Sequence, residues 1–97
     1  GRFTLSFLGY GDEVTGTVIE LTYNYGETTY AHGKAFGHIA FAVTDITAAC
    51  ERLAAMGVKI VRPPGPMTHT ATNGQRDVIA FIEDPDGYRI ELIETAI

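Results

Sequence analysis

Glu20, His38 and Glu91 are the side chains of this sequence whose types and settings could carry chemistry. Each lies inside a short apolar run suited to a β-strand, where side chains two apart share a face. Glu20 points with Val18 and Thr22, away from Ile19 and Leu21. His38 points with Ala40 and Ala42, opposite Ile39, Phe41 and Val43. Glu91 points with Arg89 and Ile93, away from Ile90 and Leu92. A buried carboxylate normally pairs, takes up a proton or binds a metal. Two carboxylates and an imidazole form a mixed O and N donor set that suits Zn²⁺, Ni²⁺, Co²⁺ or Fe²⁺. Taken singly, each residue has a plainer reading: a strand carboxylate on a solvated sheet face, or a structural His beside Gly37.

The elements that must position these residues are most legible from residue 37 onward. Gly37 to Val43 reads as a strand. Thr44 and Asp45 offer N-cap oxygens, and Ile46, Ala49, Cys50, Leu53 and Ala54 recur at helical spacing up to Met56. Gly57 then reads as a left-handed C-cap. This helix is expected to cover the Ile39, Phe41 and Val43 face, leaving His38 on the concave side. A further strand fits Val58 to Arg62, stopped by Pro63 and Pro64. Gly65 to Arg76 has loop composition. Val78 to Ile82 and Arg89 to Ile93 form a hairpin about the turn Asp84-Pro85-Asp86-Gly87.

The first 36 residues are less patterned. Phe3 to Leu8 and Thr17 to Tyr23 read as strands around a loop at Gly9 to Gly16, and Thr22 to Phe36 has no strong period. This hairpin parallels Val78–Ile82 and Arg89–Leu92, and each copy ends in Ile-Glu-Leu. The repeat implies that the first copy lacks the strand, helix and strand that precede the second. The expected division is therefore 1–36, the closing hairpin and linker of one unit, and 37–97, a complete strand-helix-strand-strand-strand unit.

Composition excludes several functions. The 97 residues allow one modest core, and an apolar content of 45% is ordinary for a folded protein. No apolar run approaches the roughly 20 residues that span a bilayer. A net charge of −5 with no basic stripe repels nucleic acid. Cys50 stands alone, so no internal disulfide forms; it falls on the apolar helix face, and a reducing, cytoplasmic setting is expected.

Three stretches together resemble glyoxalase I of the vicinal oxygen chelate superfamily: Glu20-Leu-Thr-Tyr-Asn24-Tyr-Gly26, Phe36-Gly37-His38-Ile-Ala, and Glu83-Asp-Pro-Asp-Gly87-Tyr-Arg-Ile-Glu91-Leu-Ile. The resemblance covers essentially the whole chain in the right order, and it implies an α+β fold of paired βαβββ modules. It also implies a divalent metal held by Glu20, His38 and Glu91, with a fourth ligand on a strand ahead of this chain. Glu91 would be the catalytic base and Glu20 its counterpart. The implied reaction isomerises the hemithioacetal of methylglyoxal and glutathione to S-lactoylglutathione. Asn24, Lys34 and Arg62 match positions that hold the glutathione moiety, Lys34 standing where Arg is frequent. Phe3, Leu5 and Phe7, with Ile79 and Phe81, would line the pocket for the aldehyde-derived group.

The eighteen positions from Glu20 to His38 resemble members activated by Ni²⁺ or Co²⁺, with Zn²⁺ the alternative. A homodimer with shared sites is implied. His32 and His69 match no ligand position and read as solvated. Rival readings on the same fold are a drug-sequestering module, an epimerase or a ring-cleaving dioxygenase.

Overall fold

In the computed structural model, residues 2–12, 14–67 and 77–95 are described. The elements run β1 (Phe3–Gly9), β2 (Val18–Asn24), β3 (His38–Val43), α1 (Ile46–Ala55), β4 (Lys59–Pro66), β5 (Val78–Glu83) and β6 (Arg89–Glu94). The chain divides into two compact units, Gly1–Tyr30 and Ala31–Ile97. The linker residues 31–36 therefore group with the second unit.

The first unit is the antiparallel hairpin β1–β2, in register from Phe3 opposite Asn24 to Gly9 opposite Val18. Its connecting loop is organised by Asp12, whose Oδ1 accepts from the amides of Val14 and Thr15 and from the Thr15 hydroxyl. The Thr15 amide is the main reason this carboxyl is held below its usual value.

The second unit is a four-stranded sheet in the order β3-β6-β5-β4 with α1 on one face. β3 and β6 pair in parallel, β5 and β6 antiparallel, and β4 and β5 antiparallel. β4 thus runs parallel to β3 at the opposite edge. The β5–β6 hairpin fills the two places between them, and α1 makes the crossover.

Local chemistry explains α1. Asp45 is the N-cap and its carboxylate accepts from the Ala48 amide at 3.1 Å. Glu94, at the end of β6, accepts from the Ile46 amide at 3.1 Å and satisfies a second orphan donor of the helix start. Gly57 ends the helix at φ +89°, the left-handed value its sequence position predicts. The buried face packs Ile46 and Cys50 on Ala80, Ile82 and Leu92, with Val43, Leu53, Val58, Ile60, Val78 and Ile90 around them.

Two expectations need correction. Of Ile39, Phe41 and Val43, only Val43 packs against the core among the described residues; Ile39 and Phe41 are exposed. The cause is where α1 goes. It starts beyond the C-terminal end of β3 and packs over β4, β5 and β6. The second correction is that Pro63 and Pro64 do not stop β4, which continues to Pro66. β4 is an edge strand, where proline costs no ladder bond it must donate. The register slips between Ile60 and Arg62 and again between Arg62 and Gly65, so the Pro-Pro pair sits inside a bulge. Of the expected loop Gly65 to Arg76, the first two residues are strand. Met67 then donates its amide to the Asp77 carbonyl at 2.8 Å, and residues 68–76, His69 among them, lie outside the described residues.

Candidate metal centre

The β6 register sorts the second unit's faces. Ile39, Ile90 and Ile82 align on the helix side, as do Phe41, Leu92 and Ala80. The opposite face carries His38, Arg89 and Glu83 in one row, Ala40, Glu91 and Phe81 in the next, and Ala42, Ile93 and Ile79 in the third. His38 and Glu91 therefore both point away from α1, as their alternation predicts. His38 Nε2 lies 3.0 Å from Glu91 Oε1. The Glu91 side chain is 14% exposed and the imidazole 42%, so the carboxylate is the sheltered partner. Phe81 meets the imidazole edge-on at 5.2 Å between ring centres, fixing its orientation.

The turn Asp84–Gly87 sets the register that carries Glu91. Asp84 Oδ1 accepts from the amides of Asp86 at 2.9 Å and Tyr88 at 2.8 Å. The Asp84 amide donates to the Tyr88 carbonyl at 2.9 Å, and Gly87 adopts φ +85°. A one-residue slip here would turn Glu91 toward the helix.

In the first unit, Glu20 pairs with Phe7, Thr22 with Leu5 and Asn24 with Phe3. One hairpin face thus holds Glu20, Asn24, Phe3, Leu5 and Phe7 together, as expected from alternation. Asn24 Nδ2 donates to the Tyr30 hydroxyl at 2.9 Å.

The remaining candidates fare differently. Lys34 is exposed in the turn at residues 33–35. Ile79 is buried at 8% and Phe81 half-buried. The Arg62 guanidinium is already occupied. Nη1 donates to the carbonyls of Gly65 at 3.3 Å and Ile79 at 3.0 Å, and Nη2 to that of Pro66 at 2.6 Å. It ties the bulge of β4 back onto β5. His32 is exposed, but it is not merely solvated: its ring stacks on Tyr88 at 3.8 Å and 16°. That contact, and the Glu94 bond to the helix start, escaped the sequence reading. Both join residues about 50 positions apart, beyond the reach of any local pattern.

Donor chemistry decides whether a divalent ion suits His38 and Glu91. Donors each about 2.1 Å from one ion at right angles are themselves about 3 Å apart. The pair fits as two ligands of such an ion. Among the described residues, no group of three or more His, Cys, Asp and Glu side chains is drawn together closely enough to hold one.

The comparisons with known proteins agree on the family. The model of the Glyoxalase/Bleomycin resistance protein/Dioxygenase superfamily matches residues 9–92. The chain belongs to this superfamily. A probable lactoylglutathione lyase of Synechocystis is 54% identical over 99% of this chain, which covers 70% of that protein. A lactoylglutathione lyase of Neisseria meningitidis serogroup A is 54% identical over 97%, and here the chain spans 64% of the relative. The crystal structure of glyoxalase I from Zea mays superposes with a TM-score of 0.84 at 45% identity, covering 98% of this chain and 32% of that one. The trypanothione-dependent glyoxalase I of Leishmania major superposes with a TM-score of 0.72 at 43% identity, over 96% of this chain and 60% of that one. The superfamily implies a divalent metal, in keeping with the N and O donors that His38 and Glu91 present. No helix among the described residues is long and apolar enough to cross a membrane.

Proposed function

We propose that the whole protein is a lactoylglutathione lyase, converting the hemithioacetal of methylglyoxal and glutathione to S-lactoylglutathione. The observation that carries this reading is the His38–Glu91 pair, an imidazole and a sheltered carboxylate 3.0 Å apart on the sheet face that α1 leaves open. The names of relatives 54% identical to the chain support it.

In this reading His38, Glu91 and Glu20 are ligands of one divalent ion, assembled with a further ligand from outside this chain. Bound there, the ion supplies a Lewis acid for the two substrate oxygens. Glu91 takes the C1 proton of the hemithioacetal and returns it to the neighbouring carbon, so that no proton is lost overall. The Phe3, Leu5 and Phe7 row and the Ile79 and Phe81 row give apolar surface to the aldehyde-derived group. Asn24, Lys34 and Arg62 hold the thiol moiety, Arg62 with the donors its three carbonyls leave free. The ion is Ni²⁺ or Co²⁺ in preference to Zn²⁺, the active form is a homodimer, and the setting is cytoplasmic. The residue division 1–36 and 37–97 corresponds to the end of one βαβββ module and the whole of the next.

The test is direct. The full-length protein, stripped of metal, is assayed on methylglyoxal plus glutathione with and without added Ni²⁺ or Zn²⁺. Formation of S-lactoylglutathione that needs the ion is the expected result. No turnover with any divalent ion overturns the reading.

A further inference from the structure

The segment Ala31–Gly37 leads into His38, yet no backbone hydrogen bond joins it to the β5–β6 turn among the described residues. Two aromatic contacts do the joining. His32 stacks on Tyr88 at 3.8 Å, nearly parallel at 16°, and Phe36 meets the same ring edge-on at 5.0 Å. Tyr88 therefore takes one ring on its face and presents another contact in T geometry, both favoured arrangements.

The receiving ring is rigidly presented. The Tyr88 amide donates to Asp84 Oδ1 at 2.8 Å and its carbonyl accepts from the Asp84 amide at 2.9 Å. Gly87 completes the seat. A Cβ placed there would come 3.4 Å from His32 Cε1, and φ +85° already disfavours any side chain. The turn thus leaves room for the imidazole beside Tyr88.

Between the two clamped residues, His32 and Phe36, lies Lys34 on a short turn opened by Gly33 at φ +70°. A lysine on a glycine-flanked coil would otherwise lose considerable freedom on meeting an anion. Clamping both sides of it lowers that loss before the ligand arrives. We infer that His32 is a positioning residue, which by stacking on Tyr88 holds the Lys34 turn in place for the carboxylate of the thiol substrate. The inference rests on the reading of Lys34 as a substrate contact given above.

The test uses the full-length enzyme and four variants: His32→Ala, His32→Phe, Lys34→Ala and the double variant His32→Ala/Lys34→Ala. His32→Ala raises KM for the hemithioacetal roughly three- to tenfold with kcat within about a factor of two. His32→Phe, which keeps a flat ring, restores KM. In the Lys34→Ala background the His32→Ala change has little further effect, because the two act through one contact. An unchanged KM in His32→Ala overturns the inference, as does an effect of full size when Lys34 is already absent. A fall of kcat together with the thermal midpoint, unrescued by phenylalanine, assigns the stack to stability alone and overturns it as well. Failure of the underlying reading looks different: the parent enzyme itself then does not turn over the hemithioacetal.

Discussion

His38 and Glu91 are not register partners. Across the parallel β3–β6 pair His38 stands opposite Arg89 and Glu91 opposite Ala40, and the 3.0 Å contact runs diagonally between rows. The small Ala40 side chain leaves Glu91 room to lean toward the imidazole. The diagonal matters chemically, because it engages one carboxylate oxygen, Oε1, and among the described residues the other has no side-chain partner on this face.

Glu91→Gln tests that oxygen. The amide is nearly isosteric and can still meet His38, so the fold is retained, yet it cannot accept a proton. Turnover of the full-length enzyme drops by about a hundredfold or more. Circular dichroism checks that the structure is kept. Activity within a factor of two of the parent would remove Glu91 from the role of base.

Arg62→Ala separates two roles that share one side chain. Its guanidinium holds the carbonyls of Gly65, Pro66 and Ile79, so truncation lowers stability by about 1–3 kcal/mol. Arg62→Lys recovers little of this, since an ammonium cannot span the same fork. Urea midpoints read the stability and KM reads the substrate contact. A raised KM with an unchanged midpoint would show that the carbonyl contacts contribute nothing.

A preference for Ni²⁺ over Zn²⁺ is the expectation that the short path between Glu20 and His38 carries through the resemblance. With ligands of the same types in either case, selectivity must come from geometry, and Ni²⁺ holds six ligands where Zn²⁺ settles readily for fewer. The full-length enzyme reconstituted with each ion separately turns over faster with Ni²⁺. Faster turnover with Zn²⁺ sinks the idea.

Cys50 gives a dependence on pH. Burial pushes its thiol above the ordinary value of 9.0. The unfolded chain therefore releases this proton first. The contribution to stability is whole below about pH 9 and is lost as pH rises through the raised value. Urea midpoints taken between about pH 7 and pH 10 fall more steeply for the parent than for Cys50→Ala. Parallel slopes in the two proteins would refute it.

What could be read from the sequence was whatever is local. Asp45, Gly57 and the 3.6-residue recurrence of Ile46, Ala49, Cys50 and Leu53 define α1, and Asp84–Gly87 defines the last hairpin. Alternation then places His38 and Glu91 on one face, because the period of a strand is fixed by its backbone. The misreadings concern neighbours in space. Pro63 and Pro64 look like a stop until β4 proves to be an edge. Ile39 and Phe41 look covered until α1 proves to lie over the other strands. Arg62 also donates to three carbonyls of its own unit, a structural role that no local pattern announces.

The strand order has a consequence for how the His38–Glu91 pair comes apart. Glu91 sits on β6, which is laddered on both sides, whereas His38 sits on β3, which within this sheet has β6 as its one neighbour. β3 also gives only Val43 to the packed interior among the described residues. In the hierarchy of partial openings that any native protein samples, peeling β3 away breaks one ladder and exposes little new apolar surface. Releasing Glu91 requires breaking two. The imidazole is thus tethered to a labile flap and the carboxylate to the last part of the unit to open. Amide exchange would rank them in that order, with β3 exchanging through local fraying and β6 through global unfolding.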